Sequence, residues 1–201
     1  MTRPTLLLDI DGVLNAIPEY VGPPGYAVYM MGGYVIHLNE EIASMVAELR
    51  RHYGICWFTL WNDRAATLMG PHVGLESVPF IRTSWRGGRQ VMREQGYPDS
   101  AIELVLYAKT PMLPGHLGPD DHWVWIDDAH GRRDQDYLKR QGFDPANFRL
   151  LRTDPRVGLT WDDVQRAVSF VPELGHIATE LEQETATRFG PGSTAGRAQE
   201  A

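Results

Sequence analysis

The run Leu6-Leu7-Leu8-Asp9-Ile10-Asp11-Gly12-Val13-Leu14-Asn15 carries a short aliphatic segment straight into two carboxylates spaced i, i+2. Strand side chains alternate with period two, so Asp9 and Asp11 are expected to project the same way at a strand's carboxyl end. Like charges that close repel unless a divalent cation neutralises them or burial keeps one protonated. Either solution suits an enzyme in which one Asp attacks and the other moves a proton. Gly12 lets the chain turn away and leaves room near the backbone. The competing reading is a solvated turn, since Asp-Gly is common turn chemistry. The apolar lead-in favours function.

Working outward, Thr5 to Ile10 reads as a buried parallel strand. Tyr26–Met30 and Tyr34–Leu38 flank Met31-Gly32-Gly33 and predict a hairpin. Asn39 is the expected N-cap of a helix with Ile42, Met45, Val46, Leu49 and Tyr53 on one face. Ile55 to Leu60 predicts a second buried strand. The pattern then weakens: a helix near Arg64–Met69, a short strand at Pro79–Arg82, and a segment at Asp99–Ala108 that fits helix or strand. His122–Ile126 predicts a strand ending at Asp127-Asp128, Arg133–Gln141 a helix, and Phe148–Leu151 a strand; Thr160 caps a helix through Val168. The alternation predicts an α/β fold, a three-layer Rossmann-like parallel sheet spanning residues 1–175, with its site at the strands' carboxyl ends. Residues 176–201 are polar and are expected to form a helix and flexible tail.

Composition narrows the function. The 201 residues are 43% hydrophobic with net charge -7, which argues against general coating of nucleic acid. The single cysteine, Cys56, excludes an intrachain disulfide and suggests a reducing, cytoplasmic setting. No secretory leader and no apolar span of membrane length is visible. Three expected strand ends carry polar groups: Asp9 with Asp11, Thr59, and Asp127 with Asp128. In a parallel sheet these meet at one edge. Oxygen ligands in that number suit Mg²⁺.

The stretch Asp9-Ile10-Asp11-Gly12-Val13-Leu14 resembles the first motif of the haloacid dehalogenase (HAD) superfamily. Thr59, ending a hydrophobic strand, resembles the second, whose hydroxyl binds the transferred phosphoryl group. Trp125-Ile126-Asp127-Asp128 resembles the fourth, an acidic pair. The resemblance implies an HAD-like fold and a Mg²⁺ cofactor held by Asp9, Asp11, Asp127 and Asp128. By resemblance Asp128 is the direct ligand, and Asp127 holds a metal water or the third-motif lysine; the reverse order stays open. For that lysine there are two candidates, Lys109 and Lys139, and only Lys109 falls between the second and fourth motifs. Substrate contacts are expected from Thr59 and Leu60, and from Arg82 and Arg86, whose planar forks suit phosphate oxygens.

What the resemblance implies is a phosphohydrolase. Asp9 attacks phosphorus, Asp11 serves as acid and then base, and Thr59 and Lys109 offset charge on the equatorial oxygens. Dehalogenases of the family lack the second Asp, so that chemistry is disfavoured. The segments between motifs hold a small hairpin flap and leave no room for a large cap domain. Capless members of the superfamily act on large substrates, so the expected partner is a phosphorylated substrate such as a nucleic-acid end or nucleotide. Arg82, Arg86, Arg89 and Arg93 would serve such a partner, or form a solvated helix face. Thr153–Thr160 resembles a segment of compact actinobacterial and phage HAD-like proteins and reads as a turn leading to a helix cap. A phosphotransferase on the same residues and a catalytically silent binding module remain alternatives; oligomeric state is not legible.

Overall fold

The computed structural model describes residues 3–98 and 109–171. Its centre is β1 (Thr5–Leu8), flanked by β5 (Gly54–Trp57) on one side and β6 (Trp123–Asp127) on the other. β7 (Phe148–Arg152) extends the sheet beyond β6, giving the order β5-β1-β6-β7 with every pair parallel. A continuously apolar run still alternates in space. Leu6, Leu8, Ile55, Trp57, Val124 and Ile126 pack into one core, and Leu7, Cys56, Trp123 and Trp125 into another. That division makes three layers. The first core is closed by α1 (Ile42–His52), α2 (Gly70–Val73) and α5 (residues 161–171). The second is closed by Tyr137 and Leu138 of α4 (Arg132–Arg140), with Leu113, Phe143 and Phe148.

A second sheet follows β1. The hairpin of β3 (Tyr26–Met31) and β4 (Tyr34–Asn39) turns on Gly32-Gly33, at φ 58° and 90°. Two successive positive φ values are what a tight hairpin turn requires, and glycine supplies them without strain. β2 (Asn15–Ala16) pairs with β4 and ties this flap back to the first loop. The described residues contain no large cap.

Several expected boundaries shift. β1 and β5 stop at Leu8 and Trp57, so Asp9 and Thr59 lie just beyond their strands. α1 begins at Ile42 rather than after Asn39, because the Asn39 side chain accepts from the Glu41 N–H (2.9 Å) within a turn. The helix near Arg64 is a π-helical turn, Ala65–Met69, running into α2. Pro79–Arg82 makes only an isolated bridge, Phe80 to Trp57. The arginine-rich stretch forms α3 (Trp85–Glu94), capped by Ser84, whose hydroxyl accepts from Gly87 N–H. The Thr160 cap is present: Thr160 Oγ1 accepts from Asp163 N–H, and Asp163 Oδ2 accepts from Thr160 N–H. Asp99–Ala108 and the tail from residue 172 lie outside the described residues.

Candidate active site

Three loops leave the carboxyl ends of β1, β5 and β6, and a buried lysine joins them. Lys109 stands at the start of a 3-10 turn (Thr110–Gly115) and is 1% exposed. Its Nζ lies 2.8 Å from Asp9 Oδ2 and 2.5 Å from Asp127 Oδ2. It also donates to Phe58 O at 2.9 Å, which binds the β5 loop to the same centre. The rings of Phe58 and Trp125 flank the ammonium at 5.6 and 5.8 Å. The next residue is fixed as well. Thr110 donates its hydroxyl to Asp134 Oδ1, while Asp134 Oδ2 accepts from Gly131 N–H at the start of α4.

Asp9, Asp127 and Asp128 each offer one oxygen within 4.8 Å of the others. Burial pushes the Asp127 carboxyl up from the usual carboxylate range, against the pull of Lys109. Asp128 is also raised, first by burial and then by the charge of Asp9. Three carboxylates facing one ammonium cannot all ionise without leaving uncompensated negative charge, which burial resists at Asp127. A divalent cation with a taste for oxygen fits that donor set. Gly12 makes the cluster feasible: its φ is 75°, and a Cβ there would stand 2.5 Å from Asp128 Cγ. The end of β7 and the residue after it clamp both from behind, since Thr153 Oγ1 donates to Gly12 O and Arg152 Nε to Asp128 O, each at 2.7 Å. Thr153–Thr160 is therefore structural support for the first loop, and Gly158 approaches so closely that a Cβ would lie 2.5 Å from Val13 O.

Of the four carboxylates expected to hold a metal, Asp9, Asp127 and Asp128 are brought together, while the Asp11 side chain is engaged elsewhere. Asp11 stands apart because strand alternation ends at Leu8. Its Oδ1 accepts from Asn15 Nδ2 (2.9 Å) and its Oδ2 from Trp61 Nε1 (2.8 Å). Thr59 is buried beside Phe58, and its hydroxyl accepts weakly from Trp61 N–H at 3.4 Å. Leu60 lines a cleft of about 480 Å³ together with Asp11, Asn15, Tyr34, Trp61 and Arg64. Arg82 is exposed and lies over the Phe80 ring at 5.6 Å, and Arg86 is exposed in the first turn of α3. Neither is brought into an ion pair with the site carboxylates among the described residues.

Sequence reading missed Asn15, Trp61 and Asn62. Asn15 orders the flap as well as Asp11, accepting from His37 N–H at 2.9 Å. Asn62, at φ 52°, accepts from Thr83 N–H and donates to Leu60 O and Thr83 O, which shapes the loop carrying Thr59. The available signals were slight: a polar residue four positions after Asp11, and an indole two positions after Thr59.

No curated protein sequence matches the chain. Among solved structures it is similar to a Streptomyces avermitilis protein assigned to the HAD family hydrolases, at 14% identity and TM-score 0.37 over 85% of this chain and 84% of that one. A hypothetical protein of Xanthomonas campestris aligns at 11% identity and TM-score 0.36, covering 89% and 88%. A family model matches far more directly, across residues 5–164, which takes in the sheet from β1 to β7 and all of the loops that meet at Lys109. The chain belongs to the HAD-superfamily group described as the HAD domain in Swiss Army Knife RNA repair proteins.

Proposed function

We propose that the chain is a Mg²⁺-dependent phosphomonoester hydrolase working through an aspartyl-phosphate. One observation carries the reading: Lys109 bridges Asp9 and Asp127, with Asp128 close enough to complete a set of hard oxygen ligands. A carboxylate oxygen of Asp9 attacks phosphorus as the bond to the leaving oxygen breaks, and Asp11 gives that oxygen its proton. Asp11 then takes a proton from water, which attacks the same phosphorus, frees inorganic phosphate and restores Asp9. Lys109 and Thr59 offset charge on the equatorial oxygens throughout. Asp9, Asp127 and Asp128 would hold the cation, which supplies further neutralisation of phosphoryl charge.

The substrate side rests on shape and on the family. The cleft beside Asp11 is walled by the flap rather than by a cap, so a large phosphomonoester can enter. The family's description from RNA repair proteins favours a nucleic-acid end or nucleotide. Arg82 and Arg86, both exposed, would then contact more distant phosphates of a long substrate. No helix among the described residues is long and apolar enough to cross a membrane. A single buried cysteine suits the reducing, cytoplasmic setting we propose.

The test is phosphate release from p-nitrophenyl phosphate and from 5′- and 3′-phosphorylated oligonucleotides, with Mg²⁺ or EDTA. Turnover is expected to need the cation and to fall by about 10³-fold or more in Asp9→Asn. Equal turnover in Asp9→Asn, or in EDTA, would refute the mechanism. Transfer of the phosphoryl group to an added alcohol without free phosphate would make it a phosphotransferase.

A further inference from the structure

Trp61 does two things at once. The edge of its indole donates to Asp11 Oδ2 at 2.8 Å. Its ring is half-buried, packs on the main core, and faces Tyr34 of the flap at 6.2 Å and 40°. Both rings line the 480 Å³ cleft that opens beside Asp11, and Asn15, Leu60 and Arg64 line it with them. With Asn15 on Oδ1 and Trp61 on Oδ2, each Asp11 oxygen has one lone pair engaged and another free to carry or receive a proton. Asn15 comes from the flap and Trp61 from the β5 loop, so the carboxyl is held between two separate elements.

We infer that Trp61 is the positioning residue for Asp11, with its edge aiming the carboxyl at the leaving oxygen and its face forming the wall against which the leaving group packs. The inference rests on the proposed phosphohydrolase reading and deepens it. It ties recognition to proton delivery, because the ring that contacts the leaving group is the ring that orients the acid. The leaving groups it favours carry a planar ring that can lie against this wall, since the paired Tyr34 and Trp61 rings present an aromatic surface to the cleft.

Two substrates separate this role from a merely structural one. Benzyl phosphate and p-nitrophenyl phosphate both carry a ring, but benzyl alkoxide leaves only when protonated, whereas p-nitrophenolate needs little help. Trp61→Phe and Trp61→Met remove the N–H while filling the space, and Met provides a second chance of a folded variant. Trp61→Gln keeps an N–H the same number of bonds from Cα but removes the ring. The ratio of kcat for benzyl to p-nitrophenyl phosphate is expected to fall by about tenfold or more in the Phe and Met variants. In Trp61→Gln it is expected to stay within about threefold of wild type while KM for both substrates rises. Both rates come from one preparation, so a misfolded fraction cancels in the ratio. Equal losses on the two substrates in the Phe and Met variants, or no loss, would overturn the positioning role. Wild type inactive on both substrates yet active on the phosphorylated oligonucleotides would overturn the ring preference, and wild type inactive on all of them would sink the parent reading and this inference with it.

Discussion

Lys109 sits where a lysine is costly to keep. It is 1% exposed, and its charge is tolerated because Asp9, Asp127 and the Phe58 carbonyl surround the ammonium. Removing one partner of a buried ionic group leaves the others uncompensated, at about 3–5 kcal/mol. Lys109→Met is therefore expected to lower the unfolding free energy by that amount, read as a lower urea midpoint, with Mg²⁺ recovering part of the loss by taking over neutralisation of the carboxylates. Urea titrations with and without Mg²⁺ check both statements; a midpoint unmoved by the substitution would mean that the carboxylates are protonated and the ion pair contributes nothing. At this scale the sequence was informative, for a physical reason. Lysine is scarce, Lys139 is exposed on α4, and only Lys109 falls in the right interval. Trp61 was invisible because its task depends on a contact with Asp11 across 50 positions.

The elements were legible in proportion to how local their causes are. The buried strands declare themselves by apolar runs and the hairpin by Gly32-Gly33, so the parallel sheet and the hairpin could be anticipated, though not the pairing of β2 with β4. The stretch from Trp61 to Ser84 was legible only in its helical start. It is held by side chain-to-backbone bonds, a π-helical turn and one isolated bridge, none of which leaves a periodic trace. Asn62 is its keystone. A left-handed φ of 52° suits Asn among non-glycine residues, and its amide joins Leu60 to Thr83. Asn62→Ala is expected to destabilise by about 2–4 kcal/mol, from lost hydrogen bonds plus backbone strain. Asn62→Gly removes the strain alone and should recover about 1 kcal/mol. Thermal melts of the two variants provide the comparison; if Ala and Gly behave alike, the backbone conformation is not what Asn62 supplies.

For the molecule as a whole, the core built on Trp125 has a weak point under acid. His130 is 2% exposed, lies 5.0 Å from the Trp125 ring and places Nε2 at 3.3 Å from Trp125 O. Burial drives its pKa down from 6.5 to about 4, with the nearby Lys109 charge adding to the effect. The folded state thus binds fewer protons than the unfolded chain in the interval between those values. A depressed pKa contributes stability that is complete above pH 6.5 and drains away as pH falls towards 4. Over that interval the loss amounts to about 3 kcal/mol at most. His130→Leu cannot take up the proton. Whatever it costs in packing at neutral pH, its disadvantage relative to wild type should shrink by up to about 3 kcal/mol as pH falls to 4. Carboxylates titrate in the same interval in both proteins and drop out of the difference. Urea unfolding across that range decides the matter. Parallel stability curves would show that His130 is already protonated in the fold, and would place the acid limit on the carboxylates around Lys109 instead.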